Sequence, residues 1–122
     1  MYIAVDFDGT IVKHEYPKIG EDVGAFPWLK LWQEKGAKLL LWTIRDRGEF
    51  TKAVAHTISN GVKFYGYNDN PDQKDWSNSR KMYANIYVDD AAYGCPLIYP
   101  EDGSRPYVDW GIVGPDILAK IK

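Results

Sequence analysis

Two pairs of acidic residues each end an apolar segment of the chain: Asp6 with Asp8, and Asp89 with Asp90. Carboxylates are poor strand residues and are costly to bury, so their repeated placement at the ends of apolar segments needs a reason. Carboxylates at such positions can act as nucleophiles, transfer protons or bind a hard divalent cation. We therefore take these four residues as candidates for catalysis or metal binding.

The residues that follow the first pair favour a functional interpretation. A single Asp-x-Asp pattern is weak by itself, because about one is expected by chance in a chain of this size, and it also suits a turn or a helix cap. Here Gly9 and Thr10 follow at once, and Gly9 allows the chain to leave strand geometry. Such a turn would bring Asp6 and Asp8 to the same side, whereas a regular strand would point them apart.

Electrostatics determines what must accompany these acids. Two like charges ~4 Å apart repel by about 4 kcal/mol at an effective dielectric constant of about 20. Four carboxylates at one edge of a sheet would therefore need cations. Mg²⁺ prefers oxygen ligands of this kind and usually binds one or two carboxylates together with a phosphate oxygen. We expect a Mg²⁺ site with a lysine close to it.

Alternating strand and helix signals predict how these residues are positioned. The pattern predicts strands at 2–6, 37–43, 62–68 and 84–90, helices at 27–35, 47–61 and 115–121, a polar loop at 68–79, and a short apolar piece at 96–99. Apolar strands that alternate with helices are typical of a mostly parallel sheet with helices on both faces, the three-layer α/β/α arrangement. Ligands bind such sheets beyond the carboxyl ends of the strands, where both acid pairs and Thr43 would lie.

Composition limits the class of protein. The 122 residues are 45% apolar and 15% aromatic, which is typical of one globular domain, 1–122. The net charge of −2 gives no general basic field for nucleic acid or an anionic membrane. The longest apolar run, 39–42, is too short to span a bilayer, and the first residues lack the pattern of a signal peptide. With one cysteine, Cys95, we expect a cytoplasmic protein that does not act at a membrane.

Three motifs, "VDFDGTIV", "LLLWTIR" and "NSRKMYANIYVDD", together resemble those of the haloacid dehalogenase (HAD) superfamily of phosphotransfer enzymes. More narrowly, the chain is similar to small bacterial and phage-type HAD hydrolases that lack a separate cap domain. The resemblance implies a Rossmann-like, HAD-like fold and a Mg²⁺-dependent phosphohydrolase, a phosphomonoesterase that acts through an aspartyl-phosphate. It also implies a phosphorylated substrate, a small molecule rather than a polymer, and leaves open whether the protein is a homo-oligomer.

The resemblance assigns catalytic roles to four positions. Asp6 matches the nucleophile, and Asp8 matches the general acid/base that protonates the leaving oxygen and later deprotonates the hydrolytic water. Thr43 matches the hydroxyl that holds the phosphoryl group. Lys81 matches the cation that steadies the nucleophile, with Lys74 as the alternative. We prefer Lys81 because it lies directly upstream of the second acid pair.

The resemblance also assigns the ligands of the Mg²⁺ ion. Asp6, Asp90 and the main-chain carbonyl of Asp8 would bind the ion directly. Asp89 would act from a greater distance, through water or Lys81. The division of roles between Asp89 and Asp90 stays open.

Two further features would shape substrate recognition. Arg45, close after Thr43, could bind a substrate phosphate or carboxylate through two hydrogen bonds. Residues 13–16 lie where HAD enzymes carry a flap over the site, so this loop could help to select the substrate. His14 in the loop is more typical of a surface histidine than of a catalytic one.

Other functions are compatible with the same motifs. The same chemistry could act on nucleotides or nucleic-acid ends, although the chain has no basic runs. A phosphoacceptor receiver domain also uses acids, a threonine and a lysine on a parallel sheet, but its acid pair ends the first strand and its phosphorylated aspartate comes later. A non-catalytic phosphate-binding module stays open, because the presence of the motifs does not prove turnover.

Overall fold

The centre of the molecule is a four-stranded sheet in which every strand is parallel to its neighbours. A computed structural model describes residues 1–122, and its sheet strands are β1 (Tyr2–Val5), β2 (Lys38–Leu41), β3 (Gly66–Tyr67) and β4 (Ile86–Val88). Their order is β3-β2-β1-β4. Val5 lies opposite Leu41 and Val88, so β1, β2 and β4 end at the same level. The predicted α/β class with a mostly parallel sheet is confirmed.

Three α-helices pack against one face of this sheet and form the main core with it. They are α1 (Ala25–Glu34), α2 (Arg47–Ser59) and α3 (Trp110–Lys120). Their buried apolar side chains belong to the same cluster as Ile3 and Leu39, which face each other on adjacent strands and point to one side of the sheet. None of the three helices has the length and apolar character needed to cross a bilayer.

The opposite face of the sheet is covered by a crossover that contains no α-helix. Residues 68–85 connect β3 to β4, and their only helical piece is one 3₁₀ turn, Gln73–Asp75. Met82 of this crossover packs on Ala4 and Leu40 in a small separate cluster. The prediction of helices on both faces is therefore wrong for this face, where an irregular segment takes the place of the third layer.

Polar side chains hold the crossover in shape where an apolar helix face is missing. Gln73 is buried, and its amide group donates to the carbonyl of Lys81 at 2.8 Å and accepts from the main-chain N–H of Tyr83 at 2.7 Å. Asn70, also buried, donates to the Tyr83 carbonyl at 3.0 Å. These bonds satisfy main-chain groups that a helix would satisfy internally, which allows a polar segment to cover the sheet.

Some predicted elements have different limits in the structure. The last helix begins at Trp110 rather than at residue 115, because the Asp109 side chain caps it by accepting from the N–H of Gly111 at 3.1 Å. The fourth strand ends at Val88 rather than at residue 90, because the Asp89 carbonyl accepts from the Ala92 N–H and starts a turn. The second acid pair therefore lies in a turn after the strand.

A two-stranded antiparallel hairpin lies outside the main sheet. It consists of β5 (Leu97–Ile98) and β6 (Tyr107–Val108), of which only the first was predicted as an apolar piece. The N–H of Val108 donates to the carbonyl of Gly9 at 3.0 Å. The hairpin is thus attached to the turn that follows β1.

Candidate active site

A tight turn brings the first acid pair to the carboxyl end of the sheet. The Asp6 N–H donates to the Val88 carbonyl at 2.9 Å, which extends the pairing of β1 with β4 by one residue. The chain then turns, and the Phe7 carbonyl accepts from the N–H groups of Thr10 and Ile11. Gly9 has a φ of +81°, a conformation that favours glycine. The turn brings the side chains of both aspartates to one cavity, as the sequence predicted.

This cavity has a volume of about 830 Å³ and lies beyond the carboxyl ends of β1, β2 and β4. Five of the predicted site residues line it: Asp6, Asp8, Thr43, Asp89 and Asp90. It is the position at which parallel α/β sheets bind ligands. The structure therefore brings together acids that lie more than eighty positions apart in the sequence.

Three of the carboxylates converge closely. Oxygen atoms of Asp6, Asp89 and Asp90 all lie within 4.8 Å of one another. One oxygen of each has a partner: Thr10 Oγ1 donates to Asp6 Oδ2 at 2.9 Å, the Ala91 N–H donates to Asp89 Oδ1 at 2.8 Å, and Asp90 Oδ2 pairs with a histidine. The second oxygen of each accepts no hydrogen bond from the protein. Three half-satisfied carboxylates at this spacing fit the oxygen donor set of a divalent cation.

The ionisation of Asp6 reflects this crowding. Burial, followed by the negative charge of Asp89, raises the pKa of Asp6 from 3.8 to about 8. Burial also raises the pKa of Asp89 above its ordinary value. A buried carboxylate beside other carboxylates resists ionisation unless a cation compensates it. At neutral pH the cluster therefore holds either a proton or a positive ion.

His14 also lines the cavity, although its sequence context is more typical of a surface histidine. Its Nε2 lies 2.7 Å from Asp90 Oδ2, and the side chains of both residues are largely buried. A Cβ atom on Gly9 would collide with this imidazole, so the glycine gives His14 its place over the turn. The sequence carries no motif that marks this histidine, because the contact depends on how residues 13–20 fold back over the sheet.

Thr43 is buried at the end of β2 and is held through its main chain. Asn68 accepts from the Thr43 N–H at 2.7 Å and donates to the Thr43 carbonyl at 2.9 Å. The Thr43 hydroxyl oxygen accepts from the Arg45 N–H at 3.1 Å. Its own hydroxyl proton has no acceptor within the protein, so it can be donated to a ligand in the cavity.

Arg45 has a different place from the one predicted. Its side chain is fully buried, and Nε and Nη2 donate to Asp8 Oδ2 and Oδ1 at 2.8 and 2.7 Å. The remaining N–H groups donate to the carbonyls of Pro17, Lys18 and Glu49. All five donors of the guanidinium are thus used inside the protein. This arrangement does not fit the predicted contact between Arg45 and the substrate.

The Asp8 side chain consequently does not belong to the cluster formed by Asp6, Asp89 and Asp90. Because arginine only donates, both Asp8 side-chain oxygens act as acceptors of the Arg45 guanidinium. The predicted metal ligand at this residue was its main-chain carbonyl. That carbonyl accepts no hydrogen bond in the structure, so it remains available to an ion.

The two candidate lysines do not line the cavity. Lys81 lines a separate cavity next to Trp76 and Tyr87. Lys74 lines another cavity, which shares Asn68 with the first. The structure therefore does not bring Lys81 to the carboxylates, because the irregular crossover directs the segment before β4 over the far face of the sheet.

A solved structure of a conserved protein from Bacteroides thetaiotaomicron superposes on the chain with a TM-score of 0.80 and 36% sequence identity, over 100% of this chain and 93% of that one. The chain belongs to the same protein family as this Bacteroides protein. No family model and no curated protein matches the sequence. The Bacteroides relative supports the parallel α/β fold, and the chemistry must be inferred from the site residues.

Proposed function

We propose that this protein is a Mg²⁺-dependent phosphohydrolase of the HAD type, a phosphomonoesterase that acts on a phosphorylated small molecule through an aspartyl-phosphate. The observation that carries the proposal is the convergence of Asp6, Asp89 and Asp90 within 4.8 Å at one end of the sheet. Thr43 lines the same cavity with a free hydroxyl proton. These features match the roles that the HAD resemblance assigns to the same residues.

The donor set fits a magnesium ion. Three carboxylates, each with one oxygen free of protein donors, would hold the ion together with the main-chain carbonyl of Asp8. Asp89 and Asp90 each place an oxygen within 4.8 Å of an oxygen of Asp6, so both are candidates for direct contact with the ion. When bound, the ion would supply charge neutralisation and orient a phosphate oxygen toward the nucleophile. The raised pKa of Asp6 supports this assignment, because a buried carboxylate needs a cation to be ionised at neutral pH.

The first chemical step is an attack by Asp6 on phosphorus. A carboxylate oxygen of Asp6 forms a bond to the phosphorus atom, and the bond to the leaving oxygen breaks in line with it. The leaving oxygen takes a proton from the Asp8 carboxyl group, which regains a proton from water in the second step. The hydroxyl of Thr43 donates to a phosphoryl oxygen and keeps the group aligned, so positioning supplies much of the rate.

The second step needs a base, and Asp8, which lines the same cavity, is the candidate. Its carboxylate would take a proton from the water that attacks the aspartyl-phosphate, which releases phosphate and restores Asp6. To act as the acid of the first step, Asp8 must first carry a proton and loosen its contact with Arg45.

The decisive experiment measures hydrolysis of p-nitrophenyl phosphate by the full chain with Mg²⁺ or with EDTA. We expect activity with Mg²⁺, loss of it with EDTA, and loss of it in Asp6→Asn. Asp116→Asn is the matched control, because Asp116 is exposed on α3 and makes no hydrogen bond or ion pair. Activity that survives EDTA, or that Asp6→Asn leaves intact, would contradict the proposal.

A second candidate function follows from the Asp8–Arg45 pair. A carboxylate tied by two hydrogen bonds at 2.7 and 2.8 Å is a poor proton donor, which favours a module that binds or accepts phosphate without turnover. Such a module would bind inorganic phosphate or become phosphorylated at Asp6, and would release no product over repeated cycles. Multiple turnovers in the assay above exclude it.

A further inference from the structure

One cationic side chain of the cavity has no partner in the protein. Arg105 is the only lysine or arginine that lines the cavity containing the four aspartates. The residue is exposed, and its guanidinium takes part in no hydrogen bond and no ion pair. Its five N–H groups are therefore free for a ligand that enters the cavity.

The other basic side chains that the sequence offered for this site do not line the cavity with a free donor. Every N–H of the Arg45 guanidinium already donates to an acceptor within the protein. Lys74 and Lys81 line other cavities. A phosphorylated molecule in this cavity would otherwise meet carboxylates, the imidazole of His14 and neutral groups.

The segment that carries Arg105 is fixed to the turn that carries the first acid pair. Val108, three residues later, donates its N–H to the Gly9 carbonyl at 3.0 Å. Trp110 donates its indole N–H to the Thr10 carbonyl at 2.7 Å and is buried. Pro106 follows Arg105 directly and limits the backbone conformation there. The hairpin thus holds Arg105 at a defined place relative to the acids.

The negative charge of the cavity favours a further cationic side chain that contacts the phosphate. Even with one divalent ion bound, the four carboxylates and the guanidinium of Arg45, which pairs with Asp8, leave a net negative charge, and a phosphate dianion adds two further negative charges. We propose that Arg105 binds the phosphoryl oxygens of the substrate, a role for which the HAD resemblance implies a lysine. The inference rests on the proposed function, because it assumes that the cavity receives a phosphate group. Arginine suits this task, since its planar donors can contact two phosphoryl oxygens at once.

The test is calorimetric titration of inorganic phosphate into the Mg²⁺-loaded full chain, for the wild type, Arg105→Ala and Arg105→Lys. We expect Arg105→Ala to raise the phosphate Kd about tenfold to a hundredfold, the range for losing a charge-assisted hydrogen-bond pair. Arg105→Lys should recover part of the affinity, because it retains the charge but not the paired donors. Arg47→Ala is the control, because Arg47 is exposed, its side chain makes no hydrogen bond or ion pair, and it does not line the cavity.

The outcomes separate this inference from the proposed function. Equal phosphate Kd values for the wild type and Arg105→Ala, or a wild type that binds no phosphate, would overturn the role of Arg105. If p-nitrophenyl phosphate is still hydrolysed in a Mg²⁺-dependent way in that case, the proposed function stands and only Arg105 is wrong. If phosphate binding depends on Arg105 but the wild type has no Mg²⁺-dependent activity, the proposed hydrolase fails and the phosphate site stands.

Discussion

The guanidinium of Arg45 and the carboxylate of Asp8 form a bidentate pair, with donor–acceptor distances of 2.7 and 2.8 Å, at the wall of the candidate active site. The same guanidinium donates to the carbonyls of Pro17 and Lys18. The buried Arg45 side chain therefore connects Asp8, in the turn after β1, to the loop at 13–20 that folds over the cavity. Arg45 is a positioning residue in this account.

Arg45→Lys should lower the kcat for phosphomonoester hydrolysis by about tenfold or more. A lysine keeps the charge but cannot donate to both Asp8 oxygens and to the loop carbonyls, and one charge-assisted hydrogen bond contributes about 1.5–3 kcal/mol. Steady-state kinetics checks the result, with Arg47→Lys as the control. If Arg45→Lys raises KM and leaves kcat unchanged, the residue acts in substrate binding, as the sequence suggested, and the positioning role is wrong.

Gly9→Ala should lower the free energy of unfolding and weaken Mg²⁺ binding more than Gly103→Ala does. Alanine at a φ of +81° is strained by about 1–2 kcal/mol, and its Cβ would also collide with His14 and Asp90. Gly103→Ala is a matched control, because Gly103 has a φ of +80° and nothing within 4 Å of the new Cβ. Urea unfolding should show a larger loss in the free energy of unfolding for Gly9→Ala than for Gly103→Ala, and Mg²⁺ should bind Gly9→Ala more weakly. Similar losses of unfolding free energy in both variants, with Mg²⁺ binding unchanged, would show that the site does not depend on the absence of a Cβ atom beside His14 and Asp90.

The pKa of Asp6 predicts how the stability of the metal-free protein depends on pH. Because this pKa rises from 3.8 to about 8 on folding, the folded state retains a proton that the unfolded chain has lost. The contribution of this proton to the stability of the folded state is fully present below about pH 4 and is lost as the pH rises through about 8. In EDTA, the free energy of unfolding of the wild type should thus fall over this range relative to that of Asp6→Asn.

Mg²⁺ should oppose this pH dependence, since only ionised carboxylates bind the ion and its affinity increases as they lose protons. Urea unfolding between pH 4 and pH 9, with EDTA or with Mg²⁺, measures both effects. Parallel curves for the wild type and Asp6→Asn in EDTA would show that Asp6 ionises normally in the folded protein.

The sequence predicted the parts of this molecule that depend on local pattern. The apolar run before Asp6, the Gly-Thr turn and the second acid pair correctly predicted which side chains meet at the end of the sheet. The α/β class and the parallel sheet follow from the same alternation of elements. The end of each strand is marked by local sequence, and a parallel sheet places those ends at one edge, so residue spacing was enough to predict that the acids meet.

The sequence did not predict features that depend on how irregular segments fold back. His14 reaches Asp90, and Arg105 reaches the cavity, through loops whose course no periodicity determines. Helices were expected on both faces of the sheet and a polar loop at 68–79, but the crossover at 68–85 covers one face directly, through polar residues that satisfy one another. For the same reason Lys81, which lies close to Asp89 in the sequence, lies away from it in the structure.

The positions of the two lysines give a further prediction. Lys81→Ala and Lys74→Ala should each keep kcat/KM within about threefold of the wild-type value, because neither side chain lines the carboxylate cavity. Kinetics with p-nitrophenyl phosphate checks this result. A hundredfold loss in Lys81→Ala would instead support the catalytic lysine that the HAD resemblance implies, and would require the crossover to move when substrate binds.

The central claim is that Asp6, Asp89 and Asp90 together form one divalent cation site. A crystal structure of the wild type grown with Mn²⁺ in place of Mg²⁺ tests it most directly, because anomalous scattering locates the ion. The account predicts one ion bound directly by Asp6 and by at least one of the other two carboxylates, at about 2.0–2.2 Å. An ion bound elsewhere, or a fully ordered cluster that holds no ion at saturating Mn²⁺, would contradict it.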